Sequence, residues 1–178
     1  MQHGDAAAAE NHGRKALDAG AGERAIIAHA RGLMLQTKTK KAIAEIEKAW
    51  ANEPSSSLLR TFLAAVAGES ALEQARRVEK LVASNADHAE SRLAVAQVSL
   101  RAQLWGQARN RLAPLLGNDV AKKIQARAAL LMAELESAER NDAAAGASWL
   151  KRALELGEQY TAAVQRPRTA AQLLALSG

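Results

Sequence analysis

Histidine is the side chain in this sequence best suited to metal binding or proton transfer, and it occurs four times, at His3, His12, His29 and His88. A metal site on a helix needs a second histidine or a carboxylate on the same face, and none of the four has such a partner at helical spacing. We therefore interpret His29 as a partly buried structural histidine. His88 falls in a predicted turn, where we expect it to be solvated.

Carboxylates are concentrated in one stretch, where Glu134, Glu136, Glu139 and Asp142 follow a single predicted helix. Glu136 and Glu139 share a face because they are three residues apart. A dinuclear metal site in a helical bundle would need Glu-x-x-His pairs from facing helices, and the sequence has none. We expect a solvated acidic face that pairs with Arg140 or Lys151.

Other catalytic and cofactor-binding patterns are missing from the sequence. It contains no cysteine, which excludes disulfides, zinc fingers and thiol chemistry within the chain. Serine, histidine and aspartate do not occur in a nucleophile-elbow context, and the glycines fall at turns and not in a phosphate loop. The sequence predicts no catalytic residue, no bound metal and no resident cofactor, and hence a protein that is not an enzyme.

The elements that carry these residues are predicted to be helical throughout. Of 178 residues, 43 are alanine and 23 are leucine, whereas aromatic residues make up 3% and only three are proline. Alanine and leucine are strong helix formers, so the composition predicts an all-α fold. Because no apolar run exceeds six residues, a membrane-spanning helix is excluded in this chain and we expect it to be soluble.

The net charge of +5 is the one feature that favours a polyanionic partner. Lysine and arginine are dispersed among glutamate and aspartate, however, and are not concentrated in one block. We therefore predict no nucleic-acid partner. Binding of nucleic acid or anionic lipid to a basic surface is the second alternative function.

Helical hairpins recur along the chain in a regular pattern. Small residues that allow two helices to cross closely lie twelve positions apart at Ala30 and Ala42, and again at Ala96 and Ala108. Apolar residues follow at helical spacing. Gly146 occupies the same place in a later hairpin, although Glu134 replaces the first small residue there. This spacing resembles the tetratricopeptide unit of about 34 residues.

The hairpins predict an α-solenoid of about four repeats at residues 23–160, with a partial repeat or cap at 1–22 and a capping segment at 161–178. The second repeat, residues 57–88, is slightly short, with its two helices separated at Gly68. Trp50, Trp105 and Trp149 lie on the second helices, where we expect them to pack between repeats. Stacking on a ligand is the alternative role.

The repeats at residues 26–156 resemble the C-terminal region of the HemY family, tetratricopeptide proteins associated with bacterial haem synthesis. The similarity is carried by LWGQAR around Trp105 and Ala108, by LMAELESAERND from Met132 to Asp142, and by WLKRA from Trp149 to Ala153. EKAW, which ends at Trp50, and the following Pro54 match an upstream repeat. The residues after Leu156 depart from the family pattern.

The resemblance implies an adaptor at the bacterial inner membrane, on its cytoplasmic side, for enzymes of late haem synthesis. The family's N-terminal membrane anchor has no counterpart here, so we expect this chain to be the soluble part of an anchored protein. An alternative is a carrier that binds haem or another porphyrin, with His29 as a weak candidate ligand.

In a solenoid of this kind the first helices of the repeats line a concave groove. A partner segment buried there is the predicted mode of action. Arg31 and Arg101 would provide specificity and the apolar neighbours affinity. The residues predicted to line this partner groove are Arg31, Met34, Leu35, Gln97, Arg101, Leu135 and Glu139.

Overall fold

The computed structural model describes residues 22–165, and every regular element in that range is helical. The predicted all-α fold is therefore confirmed for this part of the chain. Short 3₁₀ helices lie at Ala83–Asn85 and Ala113–Leu116. The α-helices, numbered in chain order, are α1 Gly22–Leu35, α2 Thr39–Asn52, α3 Ser56–Ala65, α4 Ala71–Leu81, α5 Ala89–Arg101, α6 Trp105–Leu112, α7 Lys122–Arg140 and α8 Ala143–Gln165.

The chain divides into two compact units, residues 1–111 and 112–178. The first contains α1 to α5 and nearly all of α6, and the second contains α7 and α8. The predicted repeat array at 23–160 extends over both units, and its boundaries stay predictions. The predicted N-terminal cap before residue 22 and the predicted capping segment after residue 165 lie outside the described residues.

In the first unit, the helices pack around one apolar core. α1 contacts α2, and α3 contacts α1, α2 and α5. The largest core side chains are those of Trp50, Phe62, Ile46 and Leu58, which are almost completely buried. Burial of such a side chain contributes roughly 1.5–3 kcal/mol. Packing of one face of each helix is therefore the main stabilisation of this unit.

The small residues predicted at helix crossings are buried. Ala30, Ala42, Ala96 and Ala108 all have no exposed surface. Alanine at these positions leaves neighbouring backbones free to approach, because it has no side chain beyond Cβ. The twelve-residue spacing read from the sequence thus corresponds to interior positions in both hairpins.

Three hairpins turn at the same relative position. Thr37, Gln103 and Asn141 have φ values of 59°, 57° and 52°, and they lie between α1 and α2, α5 and α6, and α7 and α8. Each is the seventh residue after the predicted crossing position at 30, 96 or 134. A left-handed residue reverses the chain after a helix, which is the usual C-terminal arrangement. The backbone conformation of these turns was not used to predict the hairpins, so it is separate evidence that the hairpins recur at a regular spacing.

The starts of α3 and α4 are fixed by serine caps. The hydroxyl of Ser55 accepts a hydrogen bond from the Leu58 amide at 3.2 Å. Ser70 and Glu73 form a reciprocal capping box, in which the Glu73 carboxylate accepts from the Ser70 amide at 2.9 Å. Hydrogen bonds from the Ser70 side chain and backbone hold the pKa of Glu73 below its ordinary value.

The second unit is built on the hairpin of α7 and α8. Gly146 is buried at their crossing, where an added Cβ would collide with the Ser137 hydroxyl and lie 3.2 Å from the Ala133 carbonyl oxygen. The small residue predicted at 146 is therefore required by close contact. Glu134 is exposed, so its size does not obstruct the crossing.

A buried glutamine holds the segment that leads into α7. The Gln125 amide group donates hydrogen bonds to the carbonyl oxygens of Gly117 at 2.7 Å and Val120 at 2.6 Å.

None of the helices in residues 22–165 combines the length and apolarity needed to cross a membrane.

Candidate partner-binding surface

The outer face of α1 combines basic and apolar side chains. Arg24, Ala28, Arg31 and Leu35 are exposed and recur at intervals of four, three and four residues, which places them in one row. Leu35 is 69% exposed, the largest fraction among the exposed large apolar side chains of the described residues. An apolar side chain beside two arginines is a suitable contact for an amphipathic partner.

Met34 lies at the edge of this row. Its side chain is half-buried and packs against the core of the first unit. Thioether side chains adapt their shape to different neighbours. Met34 can therefore contribute apolar surface next to Leu35 while it remains anchored in the core.

The neighbouring helix α3 carries a second exposed row, formed by Ser56, Arg60 and Ala64 at four-residue spacing. Because α3 packs against α1, the two rows lie on adjacent helices. The sequence analysis missed Arg60. The sequence contains a signal for it, because Arg60 lies four residues before Ala64 on the first helix of the second predicted repeat.

On α5, which also contacts α3, Gln97 is half-buried and Arg101 is exposed at the last residue of the helix. Within the described residues, Arg31 and Arg101 belong to no ion pair. Arg77 and Arg92, in contrast, contact Glu69 at 2.7 Å and Asp87 at 2.6 Å. Arg31 and Arg101 can thus meet an acidic partner without first breaking an internal pair.

Two of the predicted groove residues belong to the second unit, and their environments differ. Glu139 is exposed, as a surface role requires. Leu135 has no exposed surface and is part of the interior. It contributes packing in this conformation, so we leave it out of the proposed surface.

The expectation of a solvated acidic face on α7 is wrong for Glu136. Its side chain is buried, although it lies only three residues from the exposed Glu139. Arg140 Nη1 lies 3.8 Å from Glu136 Oε2, which agrees with the predicted pairing. Close packing against the neighbouring helix, which the charge pattern does not record, explains the burial.

The histidines of the described residues belong to no group that could hold a metal ion. Between residues 22 and 165, no group of three histidine or acidic side chains is placed to hold a metal ion. His29 is half-buried on α1. His88 is exposed and caps α5, because its Nδ1 atom accepts a hydrogen bond from the Glu90 amide at 3.2 Å.

The tryptophans are structural where their contacts are described. Trp50 is fully buried, and its indole N–H donates to the Asn85 side-chain oxygen at 3.1 Å. Trp149 is half-buried beneath the Arg152 guanidinium, whose central carbon lies 5.1 Å from the ring centroid. Both arrangements favour packing over ligand stacking. Trp105, at the start of α6, is also half-buried.

Comparison with known proteins yields no relative for this chain. No protein-family model, curated protein or solved structure matches it.

Proposed function

We propose that this protein is a non-enzymatic adaptor that binds a partner segment on the outer face of α1, α3 and α5. The observation that carries the proposal is the exposed row on α1, in which Leu35 is 69% exposed next to the exposed Arg31. An exposed leucine at such a position favours contact with another apolar surface.

The binding surface is defined by the exposed or half-buried residues of three helices that pack side by side. α3 contacts both α1 and α5, so these residues are carried by adjacent helices. The left-handed turns at Thr37 and Gln103 follow α1 and α5, and they support the assignment of these two helices as first helices of tetratricopeptide-like repeats. We name this set the α1–α3–α5 surface: Arg31, Met34, Leu35, Arg60, Ala64, Gln97 and Arg101.

The chemistry of this surface selects a partner with apolar and acidic residues. Burial of one leucine side chain contributes roughly 1.5–3 kcal/mol, which makes Leu35 the main candidate for affinity. Three arginines at exposed positions steer an acidic segment and accelerate association. The partner is therefore an amphipathic peptide or helix with acidic residues beside its apolar stripe.

The resemblance to the HemY family supports enzymes of late haem synthesis as the source of that segment. The adaptor would then hold such enzymes at the inner membrane through a separate anchor. In this proposal the chain itself binds no porphyrin, and His29 has a structural role.

The test is affinity capture with the purified chain from a lysate of the source organism. Wild type is compared with Arg31→Glu plus Arg101→Glu, which reverses the charge on the proposed surface. Lys41→Glu plus Arg76→Glu is the matched control, since both residues are exposed on the second helices α2 and α4. We expect haem-pathway enzymes with wild type and control, and their loss with the surface variant.

Equal capture by all three proteins would place the interaction elsewhere on the molecule. If only proteins unrelated to haem synthesis were captured, the haem-pathway partner would be wrong, although the binding surface could still be correct. When haem is added to the purified chain, we expect no shift of the Soret band that depends on His29. A shift that appears with wild type and is lost with His29→Ala would instead support the porphyrin carrier.

A further inference from the structure

The hairpin of α7 and α8 exposes more large apolar side chains than the whole first unit does. Of the six such side chains in residues 22–165, four lie on this hairpin: Leu130, Leu150, Leu154 and Tyr160. Leu130, Leu154 and Tyr160 line a groove of about 720 Å³ between the first half of α7 and the second half of α8. Clustered exposure of this kind marks an interaction surface.

Charged side chains flank the exposed leucine of α7 in a regular order. Lys123, Arg127, Leu130 and Glu134 recur at intervals of four, three and four residues, which places them in one row. From the start of α7 toward the turn at Asn141, this row reads basic, basic, apolar and acidic.

The neighbouring row on α8 has the opposite order of charge. Glu158, Leu154 and Lys151 are exposed and recur at intervals of four and three residues. Because α8 returns antiparallel to α7, this row reads acidic, apolar and basic in the same direction along the hairpin. Lys123, Arg127 and Glu158 all line the groove, so these opposite charges lie at the same end of the hairpin.

We propose that a second copy of this chain covers the groove in a symmetric dimer. A surface with opposite charges on its two sides is complementary to itself when a two-fold axis exchanges the sides. With the axis parallel to the helices, α7 of one copy packs on α8 of the other at the same level, as in a four-helix bundle. Lys123 and Arg127 of each copy then meet Glu158 of the other copy. Glu134 meets Lys151, and the leucines pack between these ionic contacts.

The charge pattern favours a copy over other occupants of the groove. A uniformly acidic helix would be repelled by Glu134 and Glu158, and a uniformly basic helix would be repelled by Lys123 and Arg127. An uncharged segment would cover these charges without pairing them. A second copy presents the opposite charge at each level. The contact uses none of the residues of the α1–α3–α5 surface, so its test is independent of the proposed function.

The proposed interface is small. From Lys123 to Glu134 the row on α7 extends about 17 Å at the rise of an α-helix. Interfaces at the small end of the observed range belong to reversible complexes. We therefore expect monomer and dimer to exchange, with the monomer dominant in dilute solution.

Sedimentation equilibrium of the full-length chain measures the dissociation constant of the dimer. Wild type should dimerise as its concentration rises. Leu154→Glu places a charge in the centre of the apolar contact and should raise the dissociation constant by about tenfold or more. Leu72→Glu is the matched control, because Leu72 is exposed on α4 in the first unit. This control should leave the constant unchanged.

Charge reversal tests the arrangement of the two copies. Lys123→Glu plus Arg127→Glu places acidic side chains opposite Glu158 and should also raise the dissociation constant by about tenfold or more. Adding Glu158→Lys to that variant makes the charges opposite again and should return the constant to near the wild-type value. Circular dichroism melting curves check that each variant is folded.

A wild-type chain that stays monomeric at every concentration would overturn the proposal, in favour of another segment of the chain or a different partner in the groove. A dimer that Leu154→Glu weakens no more than Leu72→Glu does would overturn it as well, because the contact would then lie elsewhere. Failure of Glu158→Lys to restore the dimer would contradict the contact of α7 with α8.

Discussion

At the residue scale, the Asn85 side chain makes three hydrogen bonds within the first unit. Its side-chain oxygen accepts hydrogen bonds from the Trp50 indole and the Ser91 hydroxyl, both at 3.1 Å. Its amide nitrogen donates to the Trp50 carbonyl oxygen at 2.9 Å. One side chain thus contacts both Trp50, which lies 35 residues earlier near the end of α2, and Ser91 at the start of α5.

Replacement of Asn85 should destabilise the first unit. Asn85→Ala leaves the indole N–H of the fully buried Trp50 without its acceptor, and we expect a loss of about 1–3 kcal/mol. Urea unfolding followed by tryptophan fluorescence measures this change. Ser84→Ala, at the exposed neighbouring position, is the control and should be close to neutral. Equal midpoints for the two variants would show that the hydrogen bonds of Asn85 contribute no net stability.

The Ser70–Glu73 capping box should make the stability of α4 depend on pH. Because the pKa of Glu73 is lowered by folding, its contribution is present above its ordinary value near 4.5 and is lost as the pH falls through the folded value. The melting temperature of Glu73→Gln should lie below that of wild type at pH 7. The two should converge in strongly acidic buffer.

The control for this experiment is Glu47→Gln, an exposed carboxylate in the middle of α2. It is expected to have a smaller effect at pH 7, since it caps no helix end. A Glu73→Gln deficit that persisted unchanged at low pH would contradict an ionic origin of the cap.

At the element scale, the three left-handed turns are filled by residues other than glycine. Thr37 is the least suited of them, because a β-branched side chain is rare at positive φ. The Thr37 hydroxyl donates to the Gln36 carbonyl oxygen at 2.6 Å, but this contact is exposed and solvent can replace it. The turn is therefore held by the packing of α1 on α2 against the local preference of the residue.

Thr37→Gly should accordingly stabilise the hairpin. Relief of the left-handed conformation outweighs the entropy of the added glycine, and we expect a gain of about 0.5–1 kcal/mol in the free energy of unfolding. Ala44→Gly, exposed within α2, should cost about 1 kcal/mol and serves as the opposite control. A loss of stability in Thr37→Gly would show that the turn is not strained.

The crossing of α7 and α8 should not tolerate a branched side chain at position 146. Gly146→Val forces its side chain against the Ser137 side chain and the Ala133 carbonyl oxygen, with an expected cost of about 1–3 kcal/mol. Thermal unfolding measures it. Gly106→Ala, where nothing lies within 4 Å of the added Cβ, should be neutral or slightly stabilising. Similar results for both would remove the argument for close contact at Gly146.

At the scale of the whole molecule, each compact unit has a core of its own. Trp50, Phe62 and Ile46 are in the core of the first unit, whereas Ala129, Ala153 and Leu156 form a core in the second. Opening of one core need not expose the other. Local stability should therefore differ between the units.

Native-state hydrogen exchange checks this expectation. Asn85→Ala should accelerate exchange of amides in α2 and α5 and leave α7 and α8 unchanged. Gly146→Val should do the reverse. Faster exchange throughout the chain with either substitution would mean that the two units unfold as one cooperative structure.

Local pattern was enough to predict much of this architecture. Helix formers and apolar spacing predicted an all-α chain, and the small residues Ala30, Ala42 and Gly146 were correctly placed in the interior. These features could be read from the sequence because helical periodicity and side-chain size depend on residues only a few positions apart. The exclusion of a metal site from histidine spacing is a prediction of the same local kind.

Only the tertiary structure decided which faces of the helices are covered. Leu135 and Glu136 were expected at the surface and are buried, whereas Arg60 was overlooked and is exposed. The hydrogen bond between Asn85 and Trp50 joins residues that are far apart in the chain. Burial and hydrogen bonding of this kind depend on contacts between distant segments. Amino-acid type and local spacing determine the helices, and packing between helices determines which side chains a partner can reach.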